Sequence, residues 1–164
     1  MTGFVRAIYL APSAGKPLTP EAEVRAIIGR GLEGDRYERG IGSFSRWPGT
    51  GRAVTLIEQE VIASVLAETG LDLDSGRSRR NIVTEGVRLN ELVGKTFRIG
   101  TALFRGDRRA EPCGYLERRI GKGLMPSLKG RGGLRADVLE EGILRPGDGI
   151  MVVERAHSGQ GARA

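Results

Sequence analysis

At 164 residues the chain is long enough to bury one substantial core and too short for two independent ones. One cysteine, Cys113, and one histidine, His157, exclude an internal disulfide and leave too few soft ligands for a structural zinc site or an iron–sulfur cluster. The formal charge of +6 and pI near 10.1 point to phosphate-bearing partners, and arginine supplies all but four of the 26 cationic residues, as a coding bias would also do.

Glycines, 26 in all, are scattered as punctuation, so the chain reads as short strands joined by many turns. Phe4–Leu10 predicts a first strand, a Pro/Gly loop follows from Pro12 to Pro20, and Glu23–Ile28 predicts a second strand. Residues 38–52 form a Gly-rich loop with Arg39, Phe44, Arg46, Trp47 and Arg52. Ala53–Ile57 reads as a strand running into the clearest helix, Glu58–Thr69. Ile57, Val61, Ile62, Val65 and Leu66 share one face of it, and Gly70 stands at the C-terminal cap. Asn81–Thr84 is a short strand, Leu89–Gly94 a turn or short helix, and Lys95–Arg105 a strand pair around Gly100. Strands are expected again over Arg135–Leu139 and Gly149–Val153, with Arg145–Asp148 as a tight turn. Many short strands with about two helices favour an α+β domain, predominantly β and barrel-like, over residues 1–155, with a disordered tail over 156–164. No segment approaches the roughly 18 apolar residues that span a bilayer, and Met1–Leu10 lacks a signal-peptide apolar run, so no membrane association and a cytoplasmic location are expected.

Gly29–Gly34 fits the G-x-G-x-x-G pattern, but no helix begins there to present its N-terminus to a pyrophosphate, so a tight loop placing Asp35 and Arg36 is the better reading. Arg105-Gly-Asp107 reads as a turn. His157 lies in the loose tail, where nothing orients it as a catalytic base. The segment Arg108–Tyr115 is more informative. Pro112 suits the first position of a helix, which puts Cys113 in the first turn, where unpaired N–H groups and the macrodipole favour a thiolate. Arg108, Arg109, Arg118 and Arg119 add positive potential if they fold inward, making Cys113 a metal ligand or sulfur nucleophile. A solitary cysteine is otherwise a buried small hydrophobe, and both readings stand at this point. Arg77-Ser-Arg-Arg-Asn81 offers three guanidinium forks and an amide at a pocket rim, or is a solvated basic turn. Gly130-Arg-Gly-Gly-Leu-Arg135 lets backbone N–H groups approach a phosphate, or is a flexible loop.

In this order the motifs resemble those of the MOSC domain, the family related to the C-terminal region of molybdenum-cofactor sulfurase. The resemblance runs from about Gly31 to Ile150. It is carried by Gly31–Arg36, Val54–Glu58, Arg79–Val83, Gly86–Asn90 with Leu92–Gly94, Glu111–Cys113, and Gly130–Ala136 closing on Pro146–Asp148. It implies a distorted β-barrel fold with a few short helices, a basic pocket for the molybdenum cofactor (molybdopterin), and a cysteine that ligates molybdenum or carries sulfur. Cys113 is the matching residue. Arg36, Arg79, Arg80, Asn81, Arg131 and Arg135 match the cofactor-binding segments. Members include reductases of N-hydroxylated compounds and sulfur-handling proteins, and pyridoxal phosphate is also associated with the family. Relatives often have a second cysteine where this chain has Ala110, and a histidine where it has Tyr37.

The leading expectation is therefore an oxidoreductase for N-hydroxylated bases or related small molecules, with Cys113 as the molybdenum ligand and a separate protein as electron donor. The second is a sulfur-carrier or cofactor-transfer module in which a donor protein loads a Cys113 persulfide. The third, a basic RNA-binding domain, lacks interleaved stacking aromatics at 5% aromatic content, so nucleic acid is not an expected partner.

Overall fold

The computed structural model describes residues 3–13, 15–35 and 53–153. The Gly-rich loop 38–52, Arg36, His157 and the segment 156–164 lie outside the described residues. Apolar alternation produces β1 (Gly3–Leu10), β3 (Val24–Ile27), β5 (Val54–Glu58), β6 (Ile82–Glu85), β7 (Thr96–Ile99), β8 (Ala102–Arg109), β9 (Leu134–Glu140) and β11 (Gly149–Val152). Three shorter strands join them: β2 (Thr19–Pro20), β4 (Gly31–Leu32) and β10 (Gly142–Leu144). The order β11-β7-β8-β9-β5-β6-β1 closes through antiparallel pairing of β11 with β1, giving a seven-stranded barrel. Closure leaves no free edge in this barrel. The strands β10, β3 and β4 form a separate small sheet.

Period-two alternation sorts side chains to two cores. Leu56 and Ile82 point into the barrel with Phe97 and Phe104, whose rings stack at 5.7 Å. Ile57 and Val83, one position on, face outward beneath α1 (Gln59–Thr69), α2 (Gly114–Ile120) and α3 (Leu124–Leu128). Helix α1 connects β5 to its parallel neighbour β6, as a parallel pair requires. It ends at Gly70, with φ of 78°.

Several expectations are corrected in detail. Val61, Ile62 and Val65 are buried, but Leu66 is 46% exposed, because the apolar stripe is narrower than the spacing suggested. Arg105-Gly-Asp107 is strand, not turn: it lies in β8 at an irregularity in the pairing with β9. Helix α3 and strand β10 were not anticipated; five and three residues are too few for periodicity to register.

Glu58 stands at the start of α1, half-buried, with its Oε2 accepting the Leu89 N–H at 2.9 Å. Burial pushes its carboxyl above the ordinary value; Glu60 and Glu91 add to this, while the Leu89 N–H and Arg88 oppose it. The folded protein thus favours the protonated form. Glu58 stabilises the fold below the ordinary carboxyl value of 4.5, and that contribution is lost as pH rises through the raised folded value. Glu58→Gln keeps an acceptor for Leu89 but does not ionise. Urea unfolding of the two proteins across this range should show the variant gaining on the wild type as pH rises; parallel profiles would contradict the assignment.

Candidate functional site

Strand β8 ends at Arg109, and Ala110 is held by its N–H donating to the Gly133 carbonyl at 2.8 Å. Two residues on, Pro112 precedes rather than begins the helix. Cys113 itself is the N-cap of α2, in extended conformation with φ of −136°, and its side chain is exposed. The helix docks through buried Leu116 against Leu124 and Leu128. Glu117 reaches forward to accept the N–H groups of Gly123 and Met125 at 3.0 and 3.1 Å, joining α2 to α3. Cys113 is therefore presented by a short element fixed at both ends.

The surrounding arginines separate into distinct roles. Arg80, 8% exposed, sends Nε to the Gly132 carbonyl at 3.0 Å and an Nη to the Ala110 carbonyl at 3.5 Å. It ties the entrance of β6 to the Gly-rich turn and to the segment leading to Cys113. Asn81 is fully buried. Its Oδ1 accepts the Thr55 N–H at 3.2 Å, its Nδ2 donates to the Tyr9 carbonyl at 3.1 Å, and its own N–H donates to Thr55 Oγ1 at 3.0 Å. Its amide thus locks β1, β5 and β6 together beneath the surface. Arg131 forms an ion pair with Glu68 of α1 at 2.8 Å and donates to the Ser127 carbonyl at 2.8 Å, stapling α3 to α1. Arg135 is half-buried on β9, opposite Arg108 on one side and Thr55 on the other. Arg108 pairs with Asp107, and Arg109 with Glu111 at 3.4 Å.

Arg79 has a different setting. With φ of 63°, it sits in a left-handed turn that directs its guanidinium to the Lys16 carbonyl. It lines a cleft of about 210 Å³ together with Arg77 from the same turn, Arg119 of α2, Leu18, Gly76 and Ile120. Arg119 lies over the Tyr115 ring, 5.7 Å from its centroid. Three guanidinium groups from two segments therefore meet at one cleft, and a helix rise of about 1.5 Å per residue puts Arg119 about 9 Å along α2 from Cys113. Arg118 folds back to the start of the same helix, its Nη1 lying 3.2 Å from where a Cβ on Gly114 would be. The sequence expects Arg79 as a cofactor ligand and Arg119 as a neighbour of Cys113, and the structure brings both to one cleft with Arg77. Arg77 belongs to the basic turn already noted, whereas nothing local distinguishes Arg119 from its neighbour.

The glycines of the 130–135 segment serve backbone packing. A Cβ on Gly132 would overlap the Ala110 carbonyl oxygen, and one on Gly133 the Leu56 carbonyl oxygen. Gly130 is fixed from outside, its carbonyl accepting Asn90 Nδ2 at 2.8 Å. Among the described residues, no group of three or more His, Cys, Asp or Glu side chains is arranged to hold a metal ion. No helix among them is long and apolar enough to cross a membrane.

A closed seven-stranded barrel flanked by short helices, with an exposed cysteine and an arginine-lined cleft sharing one helix, defines a β-barrel domain with a basic flank. The chain belongs to the MOSC domain family, whose model matches residues 44–151. No curated protein gives a significant match. Among solved structures, the chain is similar to the YUAD protein from Bacillus subtilis, with 16% identity, a TM-score of 0.77, and coverage of 93% of this chain and 96% of that one. It is also similar to YiiM from Geobacillus stearothermophilus (21% identity, TM-score 0.67, 94% and 76% covered) and YiiM from Escherichia coli (21%, 0.64, 96% and 72%). At these identities the likeness establishes a shared fold.

Proposed function

We propose that the protein binds the molybdenum cofactor associated with its family and reduces N-hydroxylated bases or related small molecules, with Cys113 as the ligand to the metal. The observation that carries this reading is that α2 presents both an exposed cysteine at its start and Arg119 at an arginine-lined cleft. The donor set suits the group: a soft sulfur for molybdenum, and the forks of Arg77, Arg79 and Arg119 for the pterin phosphate. The bound centre would supply two-electron chemistry.

The chain's own residues hold and orient. Arg79, with Arg77 and Arg119, neutralises the phosphate; Arg80 fixes the segment before Cys113 against the Gly132 turn; Asn81 holds β1, β5 and β6, from the last of which the Arg77–Arg80 turn extends. Arg131, through Glu68, braces α3, and Arg135 and Arg36, the latter outside the described residues, are further candidates for the same anion. Reducing an N-hydroxyl group to N–H consumes two electrons and two protons and releases water, and a separate protein supplies the electrons. The burial of Arg79, 8% exposed in the cleft, favours an enclosed anion over an RNA surface.

Protein purified from a host that makes the cofactor should contain equimolar molybdenum. Cys113→Ser should lose both molybdenum and activity while keeping its unfolding profile. Wild-type protein without molybdenum from such a host would overturn the proposal. The second reading, a persulfide carrier, draws on the exposure of Cys113, and intact-mass analysis showing one added sulfur after incubation with a sulfur donor would favour it.

A further inference from the structure

A second and larger cleft lies on the outer surface of β1 and adjoins the arginine-lined cleft at Ser75, with Cys113 lining neither. It encloses about 400 Å³, within the range of small-molecule sites. Its floor is apolar, made by Ala7 of β1, where the pairing with β6 is irregular, and by Val83 of β6. Besides Arg6 and Ser75, its lining carries the side chains of Tyr9, Gln59 at the start of α1, and Asp74 in the turn before Arg77.

These polar groups are not consumed by the fold. Among the described residues, the Tyr9 phenol, the Gln59 amide and the Asp74 carboxylate make no hydrogen bond or ion pair with another side chain. The charges around them are otherwise balanced: Arg6, at the other end of the cleft, pairs with Glu85 at 3.0 Å, and Arg77 pairs with Asp72 at 3.0 Å instead of Asp74. Asp74 is close enough to Tyr9 to act on its phenol electrostatically; burial first, and then Asp74, push that phenol upward, so it stays a neutral donor. A half-buried apolar floor beside an unpaired carboxylate, a phenol and an amide calls for a flat ligand. Such a ligand would carry one positive charge and paired N–H donors, the complement of a carboxylate's two oxygens.

We infer that the cleft between β1 and α1 binds a small planar cation of the amidinium or guanidinium type, its N–H fork on Asp74 and its flat face over Ala7 and Val83. This site is independent of the proposed reaction at Cys113.

The test is titration of the full-length protein with benzamidine, followed by amide chemical shifts. The expected result is saturable shifts confined to residues 4–9, 59–62, 74–75 and 83, with a Kd of about 1 mM or tighter for a ligand of this size. Asp74→Asn should weaken binding about tenfold or more, a loss typical of a charge-assisted pair, and Tyr9→Phe should weaken it severalfold. Neutral benzamide should bind at least about tenfold more weakly than benzamidine. Cys113→Ser and Arg79→Ala should leave the affinity unchanged, so failure here and failure of the molybdenum reading are separate results. Absent shifts, shifts centred on Arg79, equal binding of benzamide, or insensitivity to Asp74→Asn in a protein with an unaltered spectrum would each overturn the assignment.

Discussion

Replacing Asn81 with alanine is expected to destabilise the protein by about 3–4 kcal/mol, lowering Tm by about 10 °C for a domain of this length. The truncation removes the acceptor of the Thr55 N–H and the side-chain donor to the Tyr9 carbonyl, both inside the barrel wall. Each buried polar group left without a partner costs about 1–3 kcal/mol, and the vacated volume adds to it. The measurement is thermal or urea unfolding of cofactor-free protein. A residue whose sole duty was to contact a cofactor would leave cofactor-free stability unchanged, so an unaltered midpoint would return Asn81 to the pocket wall.

Gly133→Ala should cost about 3–5 kcal/mol, whereas Gly130→Ala in the same motif should cost about 1 kcal/mol. Both positions have positive φ, 119° at Gly133 and 78° at Gly130, so both substitutions carry backbone strain. They differ in surroundings. A Cβ on Gly130 meets nothing within 4 Å, but one on Gly133 would overlap the Leu56 carbonyl and lie 3.5 Å from Arg80 Nε. A backbone carbonyl in the middle of β5 cannot move aside without disturbing the pairing of Leu56 with Leu134 and Ile82. The effect should also reach Cys113, because Gly133 accepts the Ala110 N–H and Arg80 bridges Gly132 to Ala110. Paired urea titrations of the two variants, with molybdenum content of the folded fraction, check both expectations. Equal costs would show that the turn has room the structure does not indicate.

Much of the fold was legible along the chain because its signals are local. The 3.6-residue spacing of Val61, Ile62 and Val65, closed by Gly70, marks α1. Alternation at Phe97 and Ile99 marks β7, and the Arg145–Asp148 turn forms as read, with Asp148 accepting the Arg145 N–H at 2.7 Å. The order of motifs identified the family. Cys113 still sits one step outside the helix it was expected to enter, since it stays extended as the N-cap of α2, with Pro112 before it.

What the residues in order could not decide was which way each polar side chain turned. In Arg77-Ser-Arg-Arg-Asn81, five neighbours with the chemistry of a pocket rim divide once the barrel closes: Arg77 and Arg79 line the cleft, while Arg80 and Asn81 turn to backbone groups of distant segments. Their partners lie 52 and 72 residues away for Gly132 and Tyr9, and Arg131 finds Glu68 at a separation of 63. A buried guanidinium or amide must satisfy whatever carbonyls and N–H groups the closed barrel leaves beside it. Local composition states what such a side chain is able to bond, and only closure of the barrel supplies the partner.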